Sequence, residues 1–125
     1  MESLYIEQML DSPKITLDYE NGFIEFDGKS YPANSYTFYA PVLDWLEKYF
    51  DGKAKEKTTV NIKLIYFNSS SSQILLQIFD IINEGTYNEI EINWFYPEED
   101  ENCYEEFRDM DEEFPELAIN GIVLR

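Results

Sequence analysis

The chain contains no histidine, and that absence excludes more chemistry than any residue present. Without an imidazole there is no Ser-His-Asp or Cys-His catalysis, no His-ligated zinc, and no ordinary general base near neutral pH. The single cysteine, Cys103, rules out an internal disulfide and a thiolate zinc site, and it fits a reducing compartment. No apolar run approaches the roughly 20 residues that a membrane helix needs. The acidic start, MESLYIEQML, lacks the basic region of a secretory signal. A cytoplasmic protein is expected.

Basic residues are also scarce. Nine Lys and Arg stand against 26 Asp and Glu, a formal charge of −17. Such a surface repels nucleic acid and anionic membranes, so the expected partners are proteins that carry basic patches. What the 125 residues do contain is apolar and aromatic material, 44% and 17% of the chain. That is enough for one domain, residues 1–125, with one core.

KITLDYENGFIEFDG (14–28) alternates on both sides of Asn21-Gly22 and predicts strand, tight turn, strand. LYIEQM, just before it, predicts a short edge strand. In SYPANSYTFYAPVLDWLEKYFDG, Phe38, Val42, Trp45 and Tyr49 recur at helical spacing beside Tyr39, Leu43, Leu46 and Phe50. Asn34 or Ser35 caps this helix, and Gly52 ends it. Pro41 either lies in its first turn or interrupts its interior. TTVNIKLIYF (58–67) becomes continuously apolar at Leu64–Phe67, the pattern of a strand buried on both faces. QILLQIFDIINEG then predicts a helix, and YNEIEINWFY (87–96) a further strand. The predicted fold is α/β: a mixed sheet with an N-terminal hairpin, a parallel β-α-β unit, and helices packed on the sheet.

The segment from Glu98 to Glu116 holds eleven acids and one base, Arg108. Its acids lack the spacing and central glycine of a calcium loop. Tyr104, Phe107 and Met110 or Asp111 repeat at helical spacing, so a helix with one apolar stripe and a solvated acidic face is predicted. Trp45 and Trp94 fall on core stripes, and Cys103 has no neighbouring base to activate it. No metal site, cofactor or catalytic group is expected.

Four serines, Ser69 to Ser72, follow the central strand and precede a helix. Any one of them could cap that helix, and one is all a cap requires. The others would be small hydroxyls at a helix N-terminus, where free N–H groups and the positive dipole end favour an anion. A phosphate there would add about 1.5–2 negative charges to a surface that a partner reads. The other role for a serine, nucleophile, lacks a base: only Lys63 is close in sequence, and it faces the other way. A constitutive adaptor with capping serines is the remaining alternative.

GKSYPANSY, VLDWLEKYF, IKLIYFNSSSSQILLQIFDII, INWFYPEEDE and EEF follow in an order that resembles the SiaC-type bacterial regulatory phosphoproteins. The likeness runs over roughly residues 4–119. It implies a single STAS-like domain, the fold of anti-sigma factor antagonists, and a non-enzymatic role in a partner-switching circuit. A dedicated protein kinase would phosphorylate one hydroxyl at the strand-to-helix turn, and a PP2C-type phosphatase would remove the phosphate. In the best-known branch, the unphosphorylated protein activates a diguanylate cyclase, raising cyclic di-GMP and promoting biofilm. The acceptor follows the Phe67-Asn68 pair and corresponds to Ser69, with Ser70 as the alternative. Asn68, Ser70 and Ser71, with Tyr31, Asn34 and Tyr36 of the SYPANSY junction, are the expected partner contacts.

Overall fold

The computed structural model describes all residues, Met1–Arg125. Strands β1 (Leu4–Ile6), β2 (Lys14–Asp18), β3 (Phe23–Ser30), β4 (Lys57–Phe67), β5 (Glu89–Pro97) and β6 (Asn120–Leu124) form one sheet in sequence order. The first three are antiparallel, and β3 to β6 are parallel. Helices α1 (Ser35–Tyr49), α2 (Ser69–Glu84) and α3 (Glu101–Glu113) make the three parallel crossovers, and a 3₁₀ turn, Pro115–Leu117, leads into β6. The expected β-α-β unit is therefore one of three.

Strand order explains the layering. Parallel crossovers are right-handed, and three successive steps in one direction bring every helix to the same side of the sheet. Ile24, Phe26, Val60, Ile62, Leu64, Ile92 and Trp94 point to that side. They share one core with Tyr39, Val42 and Leu46 of α1, Ile74 and Ile78 of α2, and Phe107 and Met110 of α3. The opposite face carries no helix and is polar. Glu25, Asn61, Asn93 and Asn120 stand in register across four strands. Asn61 donates to Glu25 (3.3 Å), Asn93 to Asn61 (3.0 Å) and Asn120 to Asn93 (3.2 Å). These side chains satisfy one another, so a row of amides survives on a face without a covering layer.

The hairpin connection is a four-residue loop, Tyr19–Gly22, rather than a two-residue turn. The Asp18 carboxylate accepts from both the backbone N–H and the side-chain amide of Asn21, which widens the turn. Gly22, at φ +60°, is needed twice over. A Cβ there would be strained, and it would lie 2.5 Å from the Lys57 carbonyl oxygen.

The structure decides one open expectation and overturns another. Helix α1 starts at Ser35 and carries Pro41 in its interior, on the exposed side, so the Thr37 carbonyl loses its helical donor. Strand β4 is not buried on both faces at its end, because Ile65 and Tyr66 are exposed. The register shows why. β5 accompanies β4 only as far as Ile62, and against β3 the pairing jumps from Gly28–Leu64 to Lys29–Tyr66, leaving Ile65 as a bulge. The strand runs past its neighbour and lifts two apolar side chains to the surface.

Candidate functional site at the head of the second helix

Strand β4 passes into α2 through a single residue, Asn68. Its N–H continues the sheet by donating to the Ser30 carbonyl (3.0 Å), while its own carbonyl accepts the first helical bond from Ser72 N–H (2.9 Å). Its side chain accepts from Ser71 N–H (2.9 Å) and from the Ser70 hydroxyl (3.1 Å). The cap is thus Asn68, and none of the serines serves as one. Asn34 does the same for α1, accepting from Thr37 N–H at 3.0 Å.

The two capped ends meet. Ser35, first residue of α1, and Ser70 of α2 have hydroxyls 2.7 Å apart. Behind them Ser71 is wholly buried, with its hydroxyl 2.7 Å from that of Ser30 and 3.5 Å from that of Ser35. Ser30 in turn lies 2.6 Å from the Tyr39 hydroxyl. Burial pushes the Tyr39 phenol up to about 12, against an opposing effect of the Ser30 bond. Ser71 cannot touch a partner from this position, which corrects its expected role: it ties α2 to β3 and α1.

Ser69 is different. It is exposed, and its hydroxyl makes no hydrogen bond within the chain. Among the four serines it alone combines the first helical position with an uncommitted hydroxyl. The first turns of α1 and α2 contain no acidic residue, although the chain has 26 acids and these are the positions where a carboxylate is most favoured. By contrast α3 places Glu101 in its first turn. Two convergent positive helix ends therefore stand without a resident anion beside a free hydroxyl.

The surroundings are aromatic. Tyr31 and Tyr66 pack edge to face at 5.8 Å, both partly exposed, and Tyr36 projects from the first turn of α1. The loop before β2 reaches the same rim, where Asp11 accepts from Tyr31 N–H (2.8 Å) and carries exposed Met9 and Leu10 beside it. Tyr66, Ile65, Met9 and Leu10 were not among the expected contacts. The residues of SYPANSY do come to the rim: Tyr31, Asn34 and Tyr36 are exposed there, and Ser35 joins the hydroxyl cluster.

On the other flank stands α3. Glu106 lines a depression of about 300 Å³ together with Phe67, Asn68, Ser69, Ser72 and Gln73. Burial first, and then Asp109 and Glu105, raise the Glu106 carboxyl above its ordinary value. Cys103 is buried under the end of β4, its thiol directed at the Leu64 carbonyl at 3.7 Å. Burial pushes that thiol up, which disfavours the reactive thiolate, and the side chain packs beneath β4. Lys63 lies on the helix-free face, paired with Glu25 at 3.4 Å and set over the Phe95 ring, where it gives no base to the serines. No His, Cys, Asp or Glu grouping suits a metal ion, and no helix is long and apolar enough to cross a membrane.

Fold and site together define a small α/β protein that presents an exposed, unbonded hydroxyl, Ser69, at paired helix N-termini framed by aromatic side chains. The chain belongs to the SiaC family of regulatory phosphoproteins, whose family model matches residues 6–124. An uncharacterized protein of Pseudomonas aeruginosa strain UCBPP-PA14 is 31% identical over 115 residues, which is 87% of this chain and 90% of that protein. The structure of SiaC of Pseudomonas aeruginosa superimposes with a TM-score of 0.79 at 26% identity, over 99% of this chain and 98% of that one. A crystal structure of the diguanylate cyclase SiaD in complex with its activator SiaC, from the same organism, matches at 26% identity with a TM-score of 0.76. That match covers 96% of this chain and 97% of the other. The expected likeness to STAS domains is not borne out, since the solved structures matched are of SiaC.

Proposed function

We propose that this protein is a non-enzymatic, cytoplasmic switch that activates a diguanylate cyclase when unphosphorylated and releases it when Ser69 is phosphorylated. A protein kinase adds the phosphate and a PP2C-type phosphatase removes it. The observation that carries the reading is the distribution of hydroxyls. Ser70 and Ser71 are committed to internal bonds, and Ser69 is exposed and free. The similarity to SiaC, an activator of a diguanylate cyclase, supplies the partner's class.

The mechanism is local. Asn68, Ser70, Tyr31, Asn34, Tyr36 and Tyr66 form a neutral, partly apolar rim that docks on the cyclase. A phosphate on Ser69 is stabilised by its own helix end and by that of α1, so the modified protein stays folded. The same phosphate puts a double charge at the centre of the rim, where docking would have to strip its water. Moving a partner from mostly bound to mostly free takes about a 10⁴-fold change in affinity, roughly 5.5 kcal/mol. Burying one uncompensated dianion is of that order.

The test is phosphopeptide mapping on protein from its own cells, paired with cyclase binding by Ser69→Ala and Ser69→Asp. A phosphate on Ser69, retained binding by the Ala form and lost binding by the Asp form are expected. Protein that is never modified under several growth conditions leaves a constitutive adaptor in its place.

A further inference from the structure

Glu106 borders not one depression but three. Toward β4 it closes a cavity of about 280 Å³ with Ile65, Tyr66, Phe67 and Cys103, rimmed by Asp100. Past Ser69 and Ser72 it continues into a third, of about 290 Å³, between Leu76 of α2 and Met110, Asp109 and Glu113 of α3. Glu106 lines all three, Phe67 joins the one toward β4 to the one at Ser69, and Ser72 joins that one to the third, so they form one trough along the α2–α3 seam.

The trough has an apolar floor and a one-sided charge. Phe67, Leu76, Cys103 and Met110 lie in its base, and no Lys or Arg lines it. Asp100, Glu106, Asp109 and Glu113 line its wall, and none of them is in a salt bridge. The one base of this segment, Arg108, pairs with Glu112 instead (3.6 Å) and makes no contact with the wall acids. Glu106, Asp109 and Glu113 are spaced i, i+3, i+7 and so share one helix face, about 4.5 and 6 Å apart along the axis. Packed among like charges, Glu106 already has its carboxyl raised by burial and by Asp109.

We infer that the α2–α3 trough is a docking site for a cationic amphipathic segment of a protein partner, with apolar side chains toward Phe67, Leu76 and Met110 and Lys or Arg toward Glu106, Asp109 and Glu113. Charge complementarity selects this occupant: a neutral apolar segment would bury the acids unpaired, and an acidic one would be repelled. The inference goes beyond the switch at Ser69. A phosphate there would deepen the same negative field, so the cationic segment is not the contact that phosphorylation releases.

The probe is a synthetic 14-residue amphipathic peptide of Leu and Arg with one Arg per turn, titrated into the full chain by fluorescence anisotropy at physiological salt. Two triple variants carry the same change of charge. Glu106→Gln/Asp109→Asn/Glu113→Gln neutralises the wall, and Glu98→Gln/Glu105→Gln/Glu116→Gln lies outside the trough. We expect the wall variant to weaken binding about tenfold and the control by less than about threefold. Ser69→Asp should bind the peptide at least as well as the parent. Equal weakening by both triples, equal binding of a scrambled peptide, or loss of binding in Ser69→Asp would each overturn the assignment. Circular dichroism and the denaturation midpoint confirm that both triples are folded.

Discussion

Ser35 and Ser70 are 35 positions apart in the chain and 2.7 Å apart at their hydroxyls. Through that contact the heads of α1 and α2 face each other, and a charge placed on one is felt by both. The relationship separates the hydroxyls that tie the two helix heads together from the exposed hydroxyl of Ser69.

Ser71 and Ser69 should therefore respond differently to the same substitution. Ser71→Ala removes a buried hydroxyl and leaves Ser30 with only its Tyr39 bond, at a cost of about 1 kcal/mol. Ser69→Ala removes an exposed hydroxyl that bonds to nothing and should stay within about 0.5 kcal/mol of the parent. Urea midpoints of the two variants test this, and equal losses would contradict the assignment of roles.

Asn68 carries the cap that the serines were expected to supply. Asn68→Ala should lower stability by about 1 kcal/mol, while Asn68→Asp, an equally good cap, should retain most of it. Chemical denaturation of both variants is the check. If the Ala form is unchanged, a serine has taken over the cap.

Tyr39 gives the protein an alkaline weakness. Its phenol is pushed up to about 12 in the fold, whereas the unfolded chain releases the proton near the ordinary value of 10.0. Between these values the native state holds a proton that the unfolded state has lost. This stabilising contribution is complete below pH 10 and falls as pH rises toward 12, with a slope approaching about 1.4 kcal/mol per pH unit. Tyr39→Phe should abolish that slope. Urea midpoints of the two proteins between pH 9 and 11.5 should converge, and parallel curves would show that Tyr39 is not the group responsible.

Much of this was legible in the chain because the signals were local. Alternation around Asn21-Gly22, the double stripe of α1, and the acidic helix with its Phe107–Met110 stripe each follow from residues a few positions apart. A strand ending in an Asn and small hydroxyls pointed to an exposed hydroxyl at a helix head, and Ser69 is exposed there. What failed depended on neighbours that a linear pattern does not contain. Leu64–Phe67 looks buried on both faces, but Ile65 and Tyr66 are exposed because β5 stops accompanying β4 at Ile62. Asn and Ser are comparable caps, so the choice of Asn68 over a serine rests on where the backbone turns helical. Ser71 became structural only through Ser30, 41 positions away.

The sheet's sequential order reaches beyond the site. Each strand lies beside the one that precedes it in the chain, so no segment must wait for a distant one to complete its pairing. The entropy of closing the chain is lost in a series of connections between neighbouring strands, two of them plain loops and three carrying a helix, and rates of folding rise when contacts are local. Growth can start at the β2–β3 hairpin and add one strand at a time in the direction of synthesis. In chain order the α1 end precedes α2 and its serine, so the surface that faces them is built from residues synthesised earlier.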